Sequence, residues 1–331
     1  MSLRCGVIGV GHLGQHHADK YACIDKVDLV GVCDRNGTRA EEIAAKLGAK
    51  PYTDCHALLK ECDAVSIAAD TNQHYAITRD ALESGVHVLV EKPITQTTDE
   101  ARELIELAKS KKLVLQVGHL ERFNPAIIKL TELVTQPAFI NCQRISTFVQ
   151  RTGLTGSDVI IDLMIHDIDL ICYLMKDSAP TNIDAIGGQL FTNEIDICDA
   201  RLVFSDGRTA TLTTSRIGRR VNRVVKVFEF GACYIADLQA KTLQHIERDG
   251  DATDAYQLKT TEAFCDNSKD SLLLEIESFV DSVRNNTPAL VSGEDGLHAL
   301  ELATRIRHSA KSTERLWHVH SQHNGWHQAS A

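Results

Sequence analysis

The sequence predicts an α/β protein, with an N-terminal doubly wound parallel sheet followed by an α+β domain that contains a large, mostly antiparallel open sheet. Three observations predict this class. Apolar runs alternate with amphipathic helical patterns through the first third of the chain, as in a parallel sheet covered by helices on both faces. A glycine-rich turn follows the first apolar run. After about residue 180, closely spaced strand patterns replace the alternation, which is typical of antiparallel pairing.

The elements of the first domain follow one another in a regular order. Strands are predicted at residues 3–10, 27–34, 64–68, 86–90 and 113–117, and helices at residues 12–24, 39–47, 72–84 and 98–111. The continuous apolar character of each strand indicates burial on both faces of the sheet. These elements define a first domain over residues 1–120.

The second domain, predicted at residues 121–317, begins with a helix that Asn124 caps and Pro125 opens, and that ends near residue 134. An extended stretch at 138–151 and a helix at 159–175 come next. Strands are then predicted at residues 183–191, 197–204, 209–216, 224–230 and 233–237, with a hairpin turn at residues 205–208. A polar loop at 248–270 precedes helices at 271–285 and 293–309, and we expect the polar tail at 318–331 to be disordered.

Composition narrows the class of protein. The 331 residues are 43% hydrophobic and 24% charged, as in a soluble globular enzyme, and no apolar stretch approaches the ~20 residues of a membrane span. The first strand begins at residue 3, so we expect no signal peptide and a cytoplasmic location. The net charge of −10 argues against a nucleic-acid partner. We expect the ten cysteines, which include no C-x-x-C pair, to be reduced and to bind no metal.

A dinucleotide-binding turn is predicted at Gly9, Gly11 and Gly14, because these glycines lie between the first strand and the first helix. They allow a sharp turn, close approach of the backbone to a pyrophosphate, and close packing of the helix. Asp34 ends the second strand, where a carboxylate accepts hydrogen bonds from the adenosine ribose and favours NAD over NADP. Arg35 leaves NADP open, since a guanidinium can pair with a 2′-phosphate or stack on the adenine. The alternative is a glycine-containing turn without a ligand.

Lys92 lies in the segment Glu91-Lys92-Pro93, directly after a strand of the parallel sheet. Ligands of such sheets bind at the carboxyl ends of the strands, and Pro93 restricts the backbone there, which favours a functional lysine. The alternative is a solvated surface lysine.

Asp162 and His166 are four residues apart in a predicted helix and therefore share one face. A carboxylate beside an imidazole fixes the imidazole tautomer and tunes it for proton transfer. An acid-rich surface face and a His-Asp metal site are the alternatives that the residues alone leave open.

The chain resembles the glucose-fructose oxidoreductase, inositol dehydrogenase and rhizopine catabolism (Gfo/Idh/MocA) family over nearly its whole length. The resemblance is carried by the glycine turn, the Glu91-Lys92-Pro93 segment and the Asp162-x-x-x-His166 pair. The resemblance implies an NAD(P)-binding Rossmann domain, a C-terminal domain for substrate and subunit contacts, and oxidation of a CH–OH group by hydride transfer. It also implies a homodimer or homotetramer formed through the C-terminal sheet, and a cis peptide between Lys92 and Pro93.

The resemblance also implies roles for individual residues. Lys92 is expected to bind the reacting hydroxyl, Asp162 to assist it, and His166 to take the hydroxyl proton. The implied cofactor-binding positions are Gly9, Val10, Gly11, His12, Leu13, Gly14, Asp34, Arg35, Ala69, Thr71, Asn72, His74, Glu91 and Lys92. The implied substrate-binding positions are Lys92, Arg122, Asn124, Arg151, Asp162, His166 and Arg216.

Two features suggest the substrate. Residues 157–169 are similar to the branch of the family that contains UDP-N-acetylglucosamine 3-dehydrogenases of lipid A biosynthesis, which implies oxidation at C3 of a nucleotide sugar. Five cationic residues within 216–226 can bind a diphosphate, or form a solvated strand face or a subunit contact. A dehydrogenase of a free polyol such as inositol and a non-catalytic dinucleotide-binding regulator are the alternative functions.

Overall fold

The computed structural model describes residues 2–148, 157–176, 178–249 and 257–323. The chain divides into two compact units, one of Met1–Phe123 with Ser268–Leu300 and one of Asn124–Asn267 with Glu301–Ala331. The second domain predicted at residues 121–317 includes residues 268–300, which the structure places in the first unit. They belong to the first unit because Ile276, Phe279 and Val280 are part of the buried core that surrounds Cys5 and Val7.

The first unit is built from a parallel sheet and flanking helices. Its strands are β1 (Leu3–Ile8), β2 (Val27–Cys33), β3 (Lys50–Tyr52), β4 (Ala64–Ile67), β5 (His87–Glu91) and β6 (Leu115–Gly118). The helices between them are α1 (Gly14–Tyr21), α2 (Gly37–Leu47), α3 (Cys55–Leu59), α4 (Thr71–Glu83) and α5 (Thr98–Lys111).

The six strands have the order β3-β2-β1-β4-β5-β6, and each runs parallel to its neighbours, which confirms the predicted doubly wound sheet. Chain order reverses between β1 and β4, and ligands of such sheets bind beside the carboxyl ends of the strands at that point. β3 and α3 were not predicted, because elements of three and five residues are too short to show an apolar period.

The second unit contains a larger sheet. Its elements are α6 (Pro125–Leu133), β7 (Phe139–Thr147), α7 (Ile165–Met175), β8 (Pro180–Gly188), β9 (Ile197–Phe204), β10 (Thr209–Gly218), β11 (Asn222–Glu229), β12 (Ala232–Asp237), β13 (Thr242–Arg248) and β14 (Leu258–Ala263). After them come α8 (Ser271–Asn285) of the first unit and α9 (Gly293–His323), within which the boundary between the units falls.

The eight strands have the order β14-β13-β12-β11-β7-β10-β9-β8. The β7–β10 pair is parallel and the other neighbours are antiparallel, as predicted for a mostly antiparallel sheet. Alternate residues of β7 and β10 are buried, so one face of the sheet is covered. Gly207, with a φ of +87°, forms the predicted hairpin turn between β9 and β10.

Two predictions for the second unit were wrong. The predicted loop at 248–270 contains β14, and β13 precedes it. The predicted tail at 318–331 is helical as far as His323, because α9 continues beyond residue 309, and residues 324–331 lie outside the described part of the chain. Among the described helices, none has the length and apolar character needed to cross a bilayer.

Candidate active site

The glycine turn after β1 has the geometry that a dinucleotide site requires. Gly9 has a φ of +83°, and a Cβ atom there would lie 2.6 Å from the backbone nitrogen of Ala69. A Cβ at Gly14 would lie 1.8 Å from the carbonyl oxygen of Gly9, so only glycine lets α1 begin this close to the turn. At Gly11, apart from its two chain neighbours, no atom of the described residues lies within 4 Å of such a Cβ. The open space at Gly11 fits a pyrophosphate that approaches the backbone.

A cavity of about 310 Å³ lies at the carboxyl ends of β1, β2 and β4. Five predicted cofactor-binding residues line it together: Gly9, Gly11, Asp34, Arg35 and Ala69. The cavity therefore lies where the strand order reverses, as expected of the adenosine half of a dinucleotide site.

Asp34 is held in a fixed position at this cavity. Its Oδ2 accepts a hydrogen bond from the N–H of Val10 at 2.9 Å, and its Oδ1 accepts one from the N–H of Asn36 at 2.9 Å. Each carboxylate oxygen has a further lone pair, so Asp34 can accept ribose hydroxyls without losing these bonds. The residues present fit a dinucleotide.

Two arginines lie near Asp34. The guanidinium of Arg35 is exposed and lies 3.3 Å from the carboxylate of Asp70. Arg39, which the sequence analysis missed, donates to the carbonyl oxygen of Val10 at 2.9 Å and to the side chain of Gln15 at 2.8 Å. A third nitrogen of Arg39 donates to Glu42 at 2.9 Å. Each of its three nitrogens is therefore already bonded within the protein.

The Glu91-Lys92-Pro93 segment begins at the last residue of β5, at the same edge of the sheet. The Lys92–Pro93 peptide is cis, as the resemblance implied, and Lys92 is half-buried. Glu91 is buried and accepts hydrogen bonds from Nε2 of His17 at 3.0 Å and from the N–H of Lys92 at 3.2 Å. Burial alone would raise the pKa of Glu91, but the hydrogen bond from His17 and the charge of Lys92 outweigh burial and lower that pKa.

His74, one of the predicted cofactor contacts, lies beneath the surface at 1% exposure. Its Nδ1 lies 2.8 Å from the carbonyl oxygen of Pro93, and its Nε2 lies 3.0 Å from that of Ala69. Burial lowers the pKa of His74 more than these two contacts raise it. The ring thus connects the loop after β4 to the segment after Lys92, and both ring nitrogens face protein atoms.

The remaining predicted cofactor positions lie in the turn before α1 and at the start of α4. His12, Leu13 and Asn72 are exposed, Thr71 is half-buried, and Val10 is buried. Thr71 and Asn72 open α4 and therefore follow directly on the loop that contributes Ala69 and Asp70 to the cavity.

In the second unit, Asp162 and His166 lie at the start of the helical stretch that the spacing predicted. A π-helical turn, Ile160–Met164, contains Asp162 and leads into α7, which contains His166. Both side chains are partly exposed. Asp158 begins the turn by accepting hydrogen bonds from the N–H groups of Ile160 and Ile161, each at 3.0 Å. Single π-helical turns occur often at functional sites.

A buried ion pair next to His166 fixes α7 on the sheet. Arg144 of β7 binds Asp167 through two nitrogens, with distances of 2.8 Å from Nη2 and 3.0 Å from Nε. Both side chains are at most 3% exposed. This pair was not predicted, although Asp167 directly follows the predicted base.

Two predicted substrate-binding residues of the second unit, Arg216 and Asn124, make internal contacts. Arg216 is buried, donates to the carbonyl oxygen of Ser157 and lies 3.6 Å from Asp196. Asn124 caps α6 by accepting the N–H of Ala126 and donates to the carbonyl oxygen of Leu238.

Arg122 belongs to the first unit, where its 2% exposed side chain lies 3.1 Å from Asp295. Arg151 lies outside the described residues. Of the cationic cluster at 216–226, Arg219 and Arg220 are exposed, whereas Arg223 and Lys226 are half-buried.

Comparison with known proteins assigns the class. Residues 3–119 match the oxidoreductase family with an NAD-binding Rossmann fold, and residues 135–228 match the GFO/IDH/MocA C-terminal domain. The chain belongs to the Gfo/Idh/MocA oxidoreductase family, which confirms the resemblance stated above. It is a dinucleotide-dependent dehydrogenase that acts on a CH–OH group.

Individual relatives match along nearly their whole length. A UDP-N-acetylglucosamine 3-dehydrogenase of Acidithiobacillus ferrooxidans is 37% identical over 306 residues, covering 92% of this chain and 96% of that protein. The solved structure of UDP-N-acetylglucosamine 3-dehydrogenase GnnA from this organism has a TM-score of 0.89 at 35% identity, covering 95% of this chain and 99% of the other. A myo-inositol 2-dehydrogenase of Thermotoga maritima is 28% identical, covering 93% and 96%.

Proposed function

We propose that the protein oxidises the C3 hydroxyl of UDP-N-acetylglucosamine to a ketone and reduces NAD. The observation that carries this proposal is the 37% identity, over 92% of the chain, to a protein with that named activity. The inositol dehydrogenase is 28% identical over a similar share, so a free polyol is the second candidate.

We assign the reaction to Lys92, Asp162 and His166. The Lys92 ammonium donates a hydrogen bond to the reacting hydroxyl oxygen and stabilises negative charge on it as the O–H bond breaks. The imidazole of His166 takes the hydroxyl proton, and Asp162, one turn earlier, orients that imidazole. A dinucleotide held by the glycine turn and Asp34 would supply the hydride acceptor for C3. The sugar carbon is oxidised by two electrons, and the proton remains on His166 until solvent removes it.

Coenzyme preference is proposed from the groups around the adenosine cavity. Asp34 presents a negative charge where a 2′-phosphate would lie, which disfavours NADP. Three of the five N–H groups of Arg39 donate to protein acceptors, and Glu42 and Gln15 therefore compete with that phosphate for its guanidinium. Arg35 lies beside Asp70, an acid that competes with a phosphate for it. These contacts support NAD as the coenzyme.

The nucleotide part of the substrate is assigned to cations of the second unit. Arg219 and Arg220 are exposed and can form charge-assisted hydrogen bonds with a diphosphate. Arg216, Arg122 and Asn124 make buried internal contacts, so we assign them a supporting role.

We also propose that the protein is a homo-oligomer, because Phe228, Phe230 and Leu258 of the sheet region are exposed.

A labelled substrate tests the reaction directly. We expect UDP-N-acetylglucosamine with deuterium at C3 to transfer that deuterium to NAD, with a mass spectrum that shows labelled coenzyme and a keto sugar. UDP-glucose, UDP-N-acetylgalactosamine, myo-inositol and glucose form the comparison panel in a nicotinamide absorbance assay. Turnover of a free polyol with no signal from any nucleotide sugar would overturn the substrate assignment. Binding of NAD without reduction by any compound would favour a regulator.

A further inference from the structure

A buried histidine, His17, contacts Glu91, the residue that directly precedes Lys92. His17 of α1 is 1% exposed, and its Nε2 lies 3.0 Å from Oε1 of Glu91, which is 8% exposed. The three residues before Glu91 in β5 are apolar and fully buried. A carboxylate at the end of such a strand is costly to bury unless its oxygens are bonded.

The contacts of Glu91 hold its carboxylate in one place. Oε1 faces His17, while Oε2 accepts the N–H of Lys92 at 3.2 Å. A Cβ atom at Gly118, on the neighbouring strand β6, would lie 2.9 Å from the carboxyl carbon of Glu91. The absence of a side chain at Gly118 thus leaves room for the carboxylate, which lies against His17 of α1 and the backbone of β6.

This arrangement connects two parts of the site. His17 lies one turn into α1, the helix that begins at Gly14 of the dinucleotide turn. Glu91 immediately precedes Lys92 and bonds its amide. The hydrogen bond between His17 and Glu91 therefore links the start of the coenzyme-binding helix to the backbone of the lysine.

We propose that His17 is a positioning residue for Lys92, acting through the buried carboxylate of Glu91. The inference rests on the role proposed above for Lys92. His17 donates to Glu91 and keeps it directed at the amide of Lys92, so that the lysine backbone is fixed relative to the dinucleotide turn. The negative charge of Glu91 also attracts the ammonium of Lys92, and this attraction helps to lower the pKa of the carboxyl group.

Hydrogen exchange of the full-length protein tests the link without any substrate. In His17→Leu the carboxylate loses the donor at Oε1, and we expect the amide of Lys92 to exchange about ten-fold faster or more, while amides in the middle of β5 keep their rates. His17→Gln carries an N–H donor and should restore most of the protection. The matched control is His87→Gln, at the opposite end of β5, where His87 accepts the N–H of Val114. That variant should leave the exchange of Lys92 unchanged.

Kinetics with NAD and UDP-N-acetylglucosamine give the second measurement. We expect kcat of His17→Leu to fall about ten-fold, with the Kd for NAD within about two-fold of the wild type, because the lysine is displaced while the glycine turn remains. His17→Gln should recover most of kcat. A folded His17→Leu protein with unchanged Lys92 exchange and unchanged kcat overturns the inference, even if the sugar is turned over as proposed.

A second variant keeps the inference testable if His17→Leu fails to fold. Glu91→Gln preserves the shape of the side chain and removes its charge. We expect Lys92 in this variant to react with an amine-specific acylating reagent at a pH about one unit lower than in the wild type, as measured by peptide mass spectrometry. An unchanged profile overturns the electrostatic part of the proposal. Neither this measurement nor hydrogen exchange needs turnover, so failure of the substrate assignment is recognised separately.

Discussion

Asp34 combines two roles in one carboxylate. It bonds the N–H groups of Val10 and Asn36, which belong to the turns after β1 and β2, and it faces the adenosine cavity. In Asp34→Asn the charge is lost although an acceptor oxygen remains. We expect the Kd for NAD to rise about ten-fold or more and the preference over NADP to shrink, because charge-assisted hydrogen bonds to the ribose are lost. Equilibrium titration with both coenzymes measures this.

The control for Asp34→Asn lies on the same strand. Asp28 is exposed at the other end of β2, so Asp28→Asn changes the net charge by the same amount without touching the cavity. Its affinities for NAD and NADP should equal those of the wild type. Equal effects of the two substitutions would show that general electrostatics, rather than a ribose contact, explains the result.

His166 is the proposed base, and its removal separates binding from chemistry. We expect His166→Ala to bind NAD with wild-type affinity while kcat falls about 10²-fold or more, since a positioned general base contributes that much. The exposed His308 of α9 is a suitable control, and His308→Ala should turn over normally. Wild-type turnover in His166→Ala would remove this residue from the mechanism.

At the scale of secondary structure, the elements with strong periods were predictable. The exact match of α5 to its predicted bounds reflects a capping box, in which Thr97 and Glu100 bond each other's backbone. In contrast, β14 was interpreted as a loop because almost all of its side chains are exposed and none marks a buried face. It pairs on one side only, at the edge of the sheet, and its backbone hydrogen bonds leave no signal in the sequence.

The residues of the candidate site that could be predicted are those that belong to short sequence motifs. The glycine turn, Asp34 and Lys92 each have a local signature that requires no knowledge of distant residues. Partners separated by long stretches of chain were not found in this way. His17 and Glu91 are 74 residues apart, and Arg144 and Asp167 are 23 apart, so only the folded chain brings them into contact.

Breaking the buried Arg144–Asp167 pair by removing one partner is expected to destabilise the second unit strongly. Arg144→Met leaves the carboxylate of Asp167 buried without its partner, which costs about 3–5 kcal/mol in the free energy of unfolding. The double variant Arg144→Met/Asp167→Leu removes both charges and should recover much of that loss. Urea unfolding followed by circular dichroism measures these values. The exposed pair of Lys129 and Glu132 provides the control, since Lys129→Ala should cost less than about 0.5 kcal/mol.

At the scale of the whole molecule, buried ionisable groups make stability depend on pH. Burial alone would raise the pKa of Asp196, but hydrogen bonds from the N–H groups of Phe191 and Thr192 outweigh it and lower that pKa. Burial would likewise raise the pKa of Asp295, but the charge of Arg122 and the hydrogen bonds from Ser292 together outweigh burial and lower that pKa. As the pH falls, these two carboxylates take up protons in the unfolded chain before they do so in the folded protein. Their contribution to the free energy of unfolding is therefore complete above pH ~4 and is lost as the pH falls further.

Two histidines extend this dependence to milder pH. Burial lowers the pKa of His74 and of His87 in the folded protein, whereas both take up protons near pH ~6.5 in the unfolded chain. Their contribution to stability is therefore complete above pH ~6.5 and is lost as the pH falls towards the folded-state values. We expect urea midpoints to decline below pH ~6.5, well before the carboxylates protonate. His87→Gln removes one titrating group and should flatten the decline between pH ~6.5 and ~5. An equally steep decline in that variant would contradict the assignment to His87, because glutamine does not titrate.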